Sequence, residues 1–160
     1  MIRIRPRQPA DLGLCAEILA QVHQISGYPT NWPDDPAGWL TPPETVAAWV
    51  AASDDAPVAG HVVLRQLPTS PSGQAVAEVS RLFVAPAARR QGVAQALLDQ
   101  AKHWAATNHQ DLVLEVTDNL RAAQALYEQA NFRHSATNQA DWTTPAGHPV
   151  TLYKYNWNWS

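Results

Sequence analysis

The most chemically pointed stretch of the sequence is RLFVAPAARRQGVAQALLDQA, where two arginines and a glycine open a helix. A strand ends at Val84, a proline turn follows, and Arg89, Arg90, Gln91 and Gly92 lead into apolar helical spacing that begins at Val93 and Ala94. Unpaired backbone N–H groups and the positive end of a helix dipole converge at such a turn, which makes it an anion site. Gly92 lacks a Cβ and lets a bulky phosphate approach the backbone, while Arg89 and Arg90 add positive charge beside it. The bland alternative is a plain helix start with two solvated arginines. A P-loop would need a Gly-Lys-Ser/Thr ending and a dinucleotide fingerprint three glycines, and neither pattern is present.

Groups able to move protons lie on either side of this turn. Glu78 stands among Val76, Val79 and Leu82. Desolvation there would raise its pKa and suit a base, whereas pairing with Arg65 or Arg81 would cancel the shift. Glu115, the one polar residue of the apolar run LVLEV, is expected to face a cleft or an edge. His61 titrates near neutrality unless it is a hydrogen-bonded structural residue. His23, His103, His109, His134 and His148 show no metal-ligand spacing, so no metal is expected. Aromatic and acidic residues neighbour one another in the sequence at Tyr28, Trp32, Asp34, Asp35 and Trp39 and again at Asp141 and Trp142, and aromatic faces beside carboxylates would suit a cation. The same residues could instead pack a loop and cap its turns.

The elements that position these groups follow from periodicity. Ile2 to Arg5 reads as a short strand, and Leu12, Cys15, Ile18, Leu19, Val22 and Ile25 recur at helical spacing from an N-cap at Asp11 to a stop at Gly27. Tyr28 to Pro43 holds five prolines and two tryptophans, an ordered loop with a short helix expected after Pro43. Trp49 to Ala52 and Val58 to Leu64 form a hairpin around Asp54-Asp55, and Ala75 to Val84 is a further strand. Val93, Ala94, Leu97, Leu98, Ala101, Trp104 and Ala105 line a helix that ends near Asn108, and Leu112 to Val116 is a strand covered on both faces. These last elements make a β-α-β unit with parallel outer strands.

At 160 residues the chain is most simply one domain, and 46% hydrophobic against 16% charged residues sets aside the disordered and collagen-like classes. A formal charge of -3 argues against a binder of phosphate backbones, so no nucleic-acid partner is expected. The single cysteine, Cys15, rules out an internal disulfide and reads as a packed small hydrophobe. The N-terminal MIRIRPRQPADL has no apolar core of a leader, and no stretch is long enough to cross a bilayer, so a cytoplasmic protein without membrane contact is the expectation.

Arg89-x-x-Gly92-x-Ala94, placed after a strand ending Leu82-Phe83-Val84 and a proline turn, resembles the Q/R-x-x-G-x-G/A signature of the GNAT superfamily of acetyl-CoA-dependent N-acetyltransferases. Glu78 to Val84 looks like that family's fourth strand, Leu112 to Val116 like its fifth, and NLRAAQALYEQANFR like the motif that follows. The likeness covers essentially the whole chain and is most specific from Glu78 to Arg133. It implies an α/β (α+β) fold: a mixed, mostly antiparallel sheet of six to seven strands, about four helices, and a parallel β-α-β unit for the coenzyme. Ala94 is allowed by the signature, and Asn131 stands where many members have glycine, a position at which Asn also tolerates the left-handed conformation.

Further expectations rest on this resemblance. The amides of Arg89, Arg90, Gln91, Gly92, Val93 and Ala94 would hold the pyrophosphate of acetyl-CoA. The strand Leu82, Phe83, Val84 would pair with the pantetheine arm, and Asn119, if not a helix cap, would contact the coenzyme. Tyr127 matches the tyrosine that protonates the departing thiolate, although Leu120, Ala123, Leu126, Tyr127 and Ala130 also form an apolar stripe. Glu78 matches a frequent base, with Glu115 as the alternative. The acceptor cleft would draw on Tyr28, Trp32, Trp39, Glu115 and Trp142. A small cationic or amino-acid-like amine is expected, against a protein N-terminus or lysine, or a non-catalytic acyl-CoA sensor. Apart from the resemblance, Tyr153, Tyr155, Trp157 and Trp159 are expected to be exposed at the end of the chain, where they would offer a homodimer contact.

Overall fold

The computed structural model describes residues 1–160. Seven strands are β1 (Arg3–Pro6), β2 (Thr45–Ser53), β3 (Ala56–Gln66), β4 (Val76–Val84), β5 (Asp111–Thr117), β6 (Arg133–Thr143) and β7 (Pro149–Trp157). They form one sheet in the order β1-β2-β3-β4-β5-β7-β6, and β4–β5 is the only parallel pair. The helices are α1 (Leu12–Ser26), α2 (Pro36–Trp39), α3 (Val93–Thr107) and α4 (Arg121–Gln129). The mixed sheet, four helices and β4-α3-β5 unit expected from the sequence are all present, and none of the helices is long and apolar enough to cross a membrane.

Strand alternation assigns the helices to opposite faces. Trp49 and Ala51 of β2 pack in the cluster built on Leu97, Leu98, Ala101 and Ala105 of α3, together with Tyr127 of α4. Val50, between them, packs with Cys15, Ile18, Leu19 and Val22 of α1. Cys15 is a core residue, and burial pushes its thiol up to about 11, so it takes no part in chemistry at neutral pH. Helix α3 comes so close to β3 that a Cβ on Gly60 would stand 2.7 Å from a Val93 methyl carbon.

β4 changes face partway along. Ala77 and Val79 lie in the α3 cluster, but so do the later Leu82 and Val84, while Phe83 packs against α1. The register explains it: His61 of β3 opposes Phe83 and Val63 opposes Ser80, so Arg81 and Leu82 together oppose Val62. Arg81, at φ 54°, takes up this β-bulge. Fully buried His61 fixes the bulge from behind, with Nδ1 2.8 Å from the Arg81 carbonyl and Nε2 2.9 Å from Arg7 Nη1. Arginine has no lone pair to offer, so Nε2 accepts and Nδ1–H donates. Burial lowers the imidazole to about 4, which keeps it neutral and makes it a structural residue.

Two local expectations are corrected. The short helix is Pro36–Trp39, before rather than after Pro43, because Asp35 caps it by accepting from Gly38 N at 3.1 Å with proline in its first turn. The chain after Pro43 turns through Glu44, at φ 65°, directly into β2. The aromatic residues of β7 and the C-terminus are not free either. Tyr155 is 2% exposed and donates to Glu128 Oε2 at 3.1 Å, Tyr153 and Trp157 pack against the core, and Trp159 stacks on His109 at 4.5 Å. Of these four expected exposed rings only Tyr155 is buried; Tyr153, Trp157 and Trp159 are half-buried.

Candidate active site

The parallel pairing of β4 with β5 lasts for three positions only, from Val76–Asp111 to Glu78–Val113. Beyond it β4 runs on to Val84 and β5 to Thr117, so two strand edges diverge with unpaired backbone groups facing a notch. An extended, amide-containing chain could add there as a strand would. At the outer end of the notch, α3 begins at Gly92 with φ 77°, preceded by Arg90 at φ 63°. No protein acceptor takes the N–H groups of Arg90, Gln91, Gly92, Val93 or Ala94, and no side chain caps the helix. Space beside Gly92 Cα is open. Free amides in this arrangement could hold a phosphate; they belong to residues 90–94, since the Arg89 N–H, expected to share in it, donates to the Pro86 carbonyl at 3.4 Å. Arg90 is exposed and unengaged, whereas Arg89 donates to Ser26 Oγ at 2.7 Å and so bridges to α1.

Tyr127 lies on the α3 face, in the cluster that holds Val79 of β4 and Leu114 and Val116 of β5. Its helix ends in a Schellman motif, with Asn131 at φ 69°, Asn131 N–H donating to the Glu128 carbonyl at 3.1 Å and Phe132 N–H to the Tyr127 carbonyl at 3.0 Å. The rings of Phe132 and Tyr155 flank Tyr127 at 6.3 and 5.9 Å. The ring is buried, yet its hydroxyl has no protein hydrogen-bond partner and is not sealed from solvent. Burial holds the phenol above its usual range, so it stays protonated at neutral pH and able to donate. Tyr28 lies within electrostatic reach of it.

The opposite face carries the carboxylates. Glu78 alternates with Ala77 and Val79, and Glu115 with Leu114 and Val116, so both point away from α3. Arg65 Nη1 donates to Glu78 Oε1 at 2.8 Å, the pairing foreseen as one alternative, and no protein donor reaches Oε2. The Glu115 carboxyl is raised, by lost solvation first and by the charge of Glu78 second. Lys154, opposite it on β7, offsets part of the shift.

The α1–α2 loop closes this side. Tyr28 meets the Trp39 ring edge-on at 6.1 Å, and burial pushes its hydroxyl up to about 12. Arg81, which the sequence reading did not place in the site, lies with its guanidinium 3.9 Å above the Trp39 ring. An arginine inside the apolar strand Val76–Val84 was the signal available. Because Arg81 covers one face of Trp39, that face cannot seat a cationic acceptor. Trp32 and Trp142 are 41% and 42% exposed, and neither ring contacts this group. The loop is tied to the end of β6 by Asn31, which donates to the Thr143 carbonyl at 2.8 Å. Asn119 is exposed and is not a cap, since the N-cap position of α4 is Leu120. No cluster of His, Cys, Asp and Glu has metal-binding geometry. The structure thus brings together Tyr28, Trp39, Glu78, Glu115 and Tyr127 of the expected residues, adds Arg81, and leaves Trp32, Trp142 and Asn119 on the surface.

Solved structures share this architecture. That of Arabidopsis thaliana NAA60 in complex with a bisubstrate analogue superposes with a TM-score of 0.79 at 19% identity, covering 99% of this chain and 98% of that one. The ribosomal-protein-S18-alanine N-acetyltransferase from Escherichia coli gives 0.78 at 19% identity, over 100% and 95% of the two chains. The GNAT superfamily phosphinothricin acetyltransferase from Sinorhizobium meliloti, in complex with AcCoA, gives 0.79 at 16%, over 98% and 88%. Residues 15–132, which include the bulged β4, the amide cradle and α4, match the acetyltransferase (GNAT) family, and the chain belongs to that family.

Proposed function

We propose that the protein transfers an acetyl group from acetyl-CoA to the primary amine of a small, amino-acid-like acceptor in the cytoplasm, by direct attack in the notch between β4 and β5. The observation that supports this reading is that notch itself: unpaired strand edges and the free amides of residues 90–94, with Tyr127 and Glu78 on opposite faces of the sheet.

Acetyl-CoA supplies an activated acyl group and a thiolate leaving group. The amides of Arg90 to Ala94 hold its pyrophosphate, and the edge of Leu82, Phe83 and Val84 aligns its arm. Glu78 Oε2 takes a proton from the acceptor ammonium, directly or through water, so that a neutral amine attacks. As the C–N bond forms and the C–S bond breaks, the Tyr127 hydroxyl delivers a proton to sulfur, and the second proton shed by the nitrogen as the amide forms returns through water to the phenolate. The loop from Tyr28 to Trp39 covers the acceptor side and limits it to small molecules.

Release of free thiol from acetyl-CoA, followed against amino acids, polyamines, aminoglycosides and peptide N-termini, tests the reading. Turnover with amino acids, lowered roughly 100-fold by Glu78→Gln, is the expected result. Turnover with peptide N-termini alone, or unchanged turnover in Glu78→Gln, would contradict the acceptor class or the base respectively.

A further inference from the structure

Arg81 is a half-buried cation without a counter-ion. The ion pairs of the chain are Met1–Asp54, Arg3–Asp54, Arg5–Asp11 and Arg65–Glu78, and no carboxylate lies within salt-bridge distance of the Arg81 guanidinium. Its Nε donates to the Trp39 carbonyl at 3.0 Å and its Nη1 to Ser80 Oγ at 3.1 Å. Both protons of Nη2 and the second of Nη1 have no protein acceptor. Removing a guanidinium from water is unfavourable unless an anion or a full set of acceptors replaces the solvent. Here the group is also held rigidly. The bulge at φ 54° aims it, the imidazole of His61 pins the carbonyl of the same residue, and the Trp39 ring supports its plane at 3.9 Å. A preorganised planar fork with open donors recognises a carboxylate.

The coenzyme does not account for this cation. Its phosphates belong at the amide cradle of residues 90–94, beyond the Val84 end of β4, whereas Arg81 reaches to the opposite face, onto α2 and beside Tyr28. On that face it stands three residues along β4 from Glu78, in electrostatic reach of it. The cleft therefore carries a cation and a proton-accepting carboxylate side by side.

We infer that Arg81 is a specificity-determining residue that binds the acid group of a zwitterionic acceptor, the carboxylate of a free amino acid whose amine is presented to Glu78. The inference rests on the amine-acetylating role proposed above and narrows its substrate class. It separates a free amino acid from a peptide N-terminus, whose nearest carboxylate has been converted to an uncharged amide.

The test compares kcat/KM for matched acceptors, a free amino acid, its primary carboxamide and a short peptide beginning with the same residue, in the wild type, Arg81→Gln and Arg81→Lys. The wild type is expected to favour the free acid over its carboxamide by about tenfold to a hundredfold, the scale of a charge-assisted hydrogen bond. In Arg81→Gln that ratio should fall towards one through a raised KM for the acid, and Arg81→Lys should restore part of it. Equal or better use of the carboxamide or peptide by the wild type overturns the inference without any variant being needed. So does an unchanged ratio in Arg81→Gln, or a loss confined to acetyl-CoA affinity, which would assign the guanidinium to the coenzyme. Failure of the wild type to acetylate any amine in the panel would instead refute the underlying reading.

Discussion

The two faces of the sheet solve their binding problems with different parts of the chain. On the α3 and α4 face the proposed donor side is built mainly from backbone: diverging strand edges, the uncapped first turn of α3 and the αL residues Arg90 and Gly92. On the α1 and α2 face the proposed acceptor side is built from side chains contributed by β3, β4, β5 and the loop around α2: Arg65, Glu78, Arg81, Glu115, Tyr28 and Trp39. A backbone site depends on the fold and tolerates many sequences, which suits a ligand common to a family. A side-chain site can change one residue at a time, which suits an acceptor that differs between members. The bulge at Arg81 joins the two, since it turns Leu82 and Val84 to the donor face and sends Arg81 to the acceptor face.

The hardest way to break the donor side is at Gly92. Gly92→Glu places a side chain on a residue at φ 77° and a negative charge in the phosphate cradle. Acetyl-CoA affinity by calorimetry should fall about 1000-fold, combining αL strain with charge repulsion. Affinity within a few fold of wild type would remove the cradle from the account.

The support behind the bulge titrates. His61 binds its proton at about 4 when folded and near 6.5 when unfolded, so the unfolded chain is protonated first as pH falls. Stability is unaffected above pH 6.5 and should decline by about 3 kcal/mol as pH drops to 4, because the buried imidazole must stay neutral. Urea denaturation of His61→Asn across the same window should show a correspondingly shallower decline. An equal decline in the variant would place the acid sensitivity elsewhere, for example in Asp11, whose pairing with Arg5 holds its carboxyl below the usual range.

Tyr127 separates binding from chemistry. Tyr127→Phe keeps the ring between Phe132 and Tyr155 and removes a hydroxyl without a protein partner. Turnover should fall roughly 100-fold while acetyl-CoA affinity stays within twofold. Unchanged turnover would leave the ring as core alone.

The strand, turn and helix of the proposed donor side were legible in the sequence because their signals are local. A strand period ending at Val84, a proline turn, one glycine and a 3.6-residue period from Val93 describe them within twenty or so residues. The acceptor side was not, because each feature depends on contacts distant in sequence. The bulge is visible only in the register between β3 and β4. The helix at Pro36 is held by an Asp35 cap and by Arg81 donating to its last residue, Trp39. Tyr155 alternates with Lys154 along β7, but its burial comes from pairing with Leu114 and from Glu128 on α4. Glu78 was recognised as a candidate base, yet only the structure chose Arg65 over Arg81 as its partner and so left Arg81 uncompensated.

Amide hydrogen exchange measured with and without acetyl-CoA tests the division between the faces most directly. The account predicts slowed exchange at residues 90–94 and along 79–84, with no change at 28–43 until an acceptor analogue is added. Protection at 28–43 with acetyl-CoA alone and none at 90–94 would contradict it.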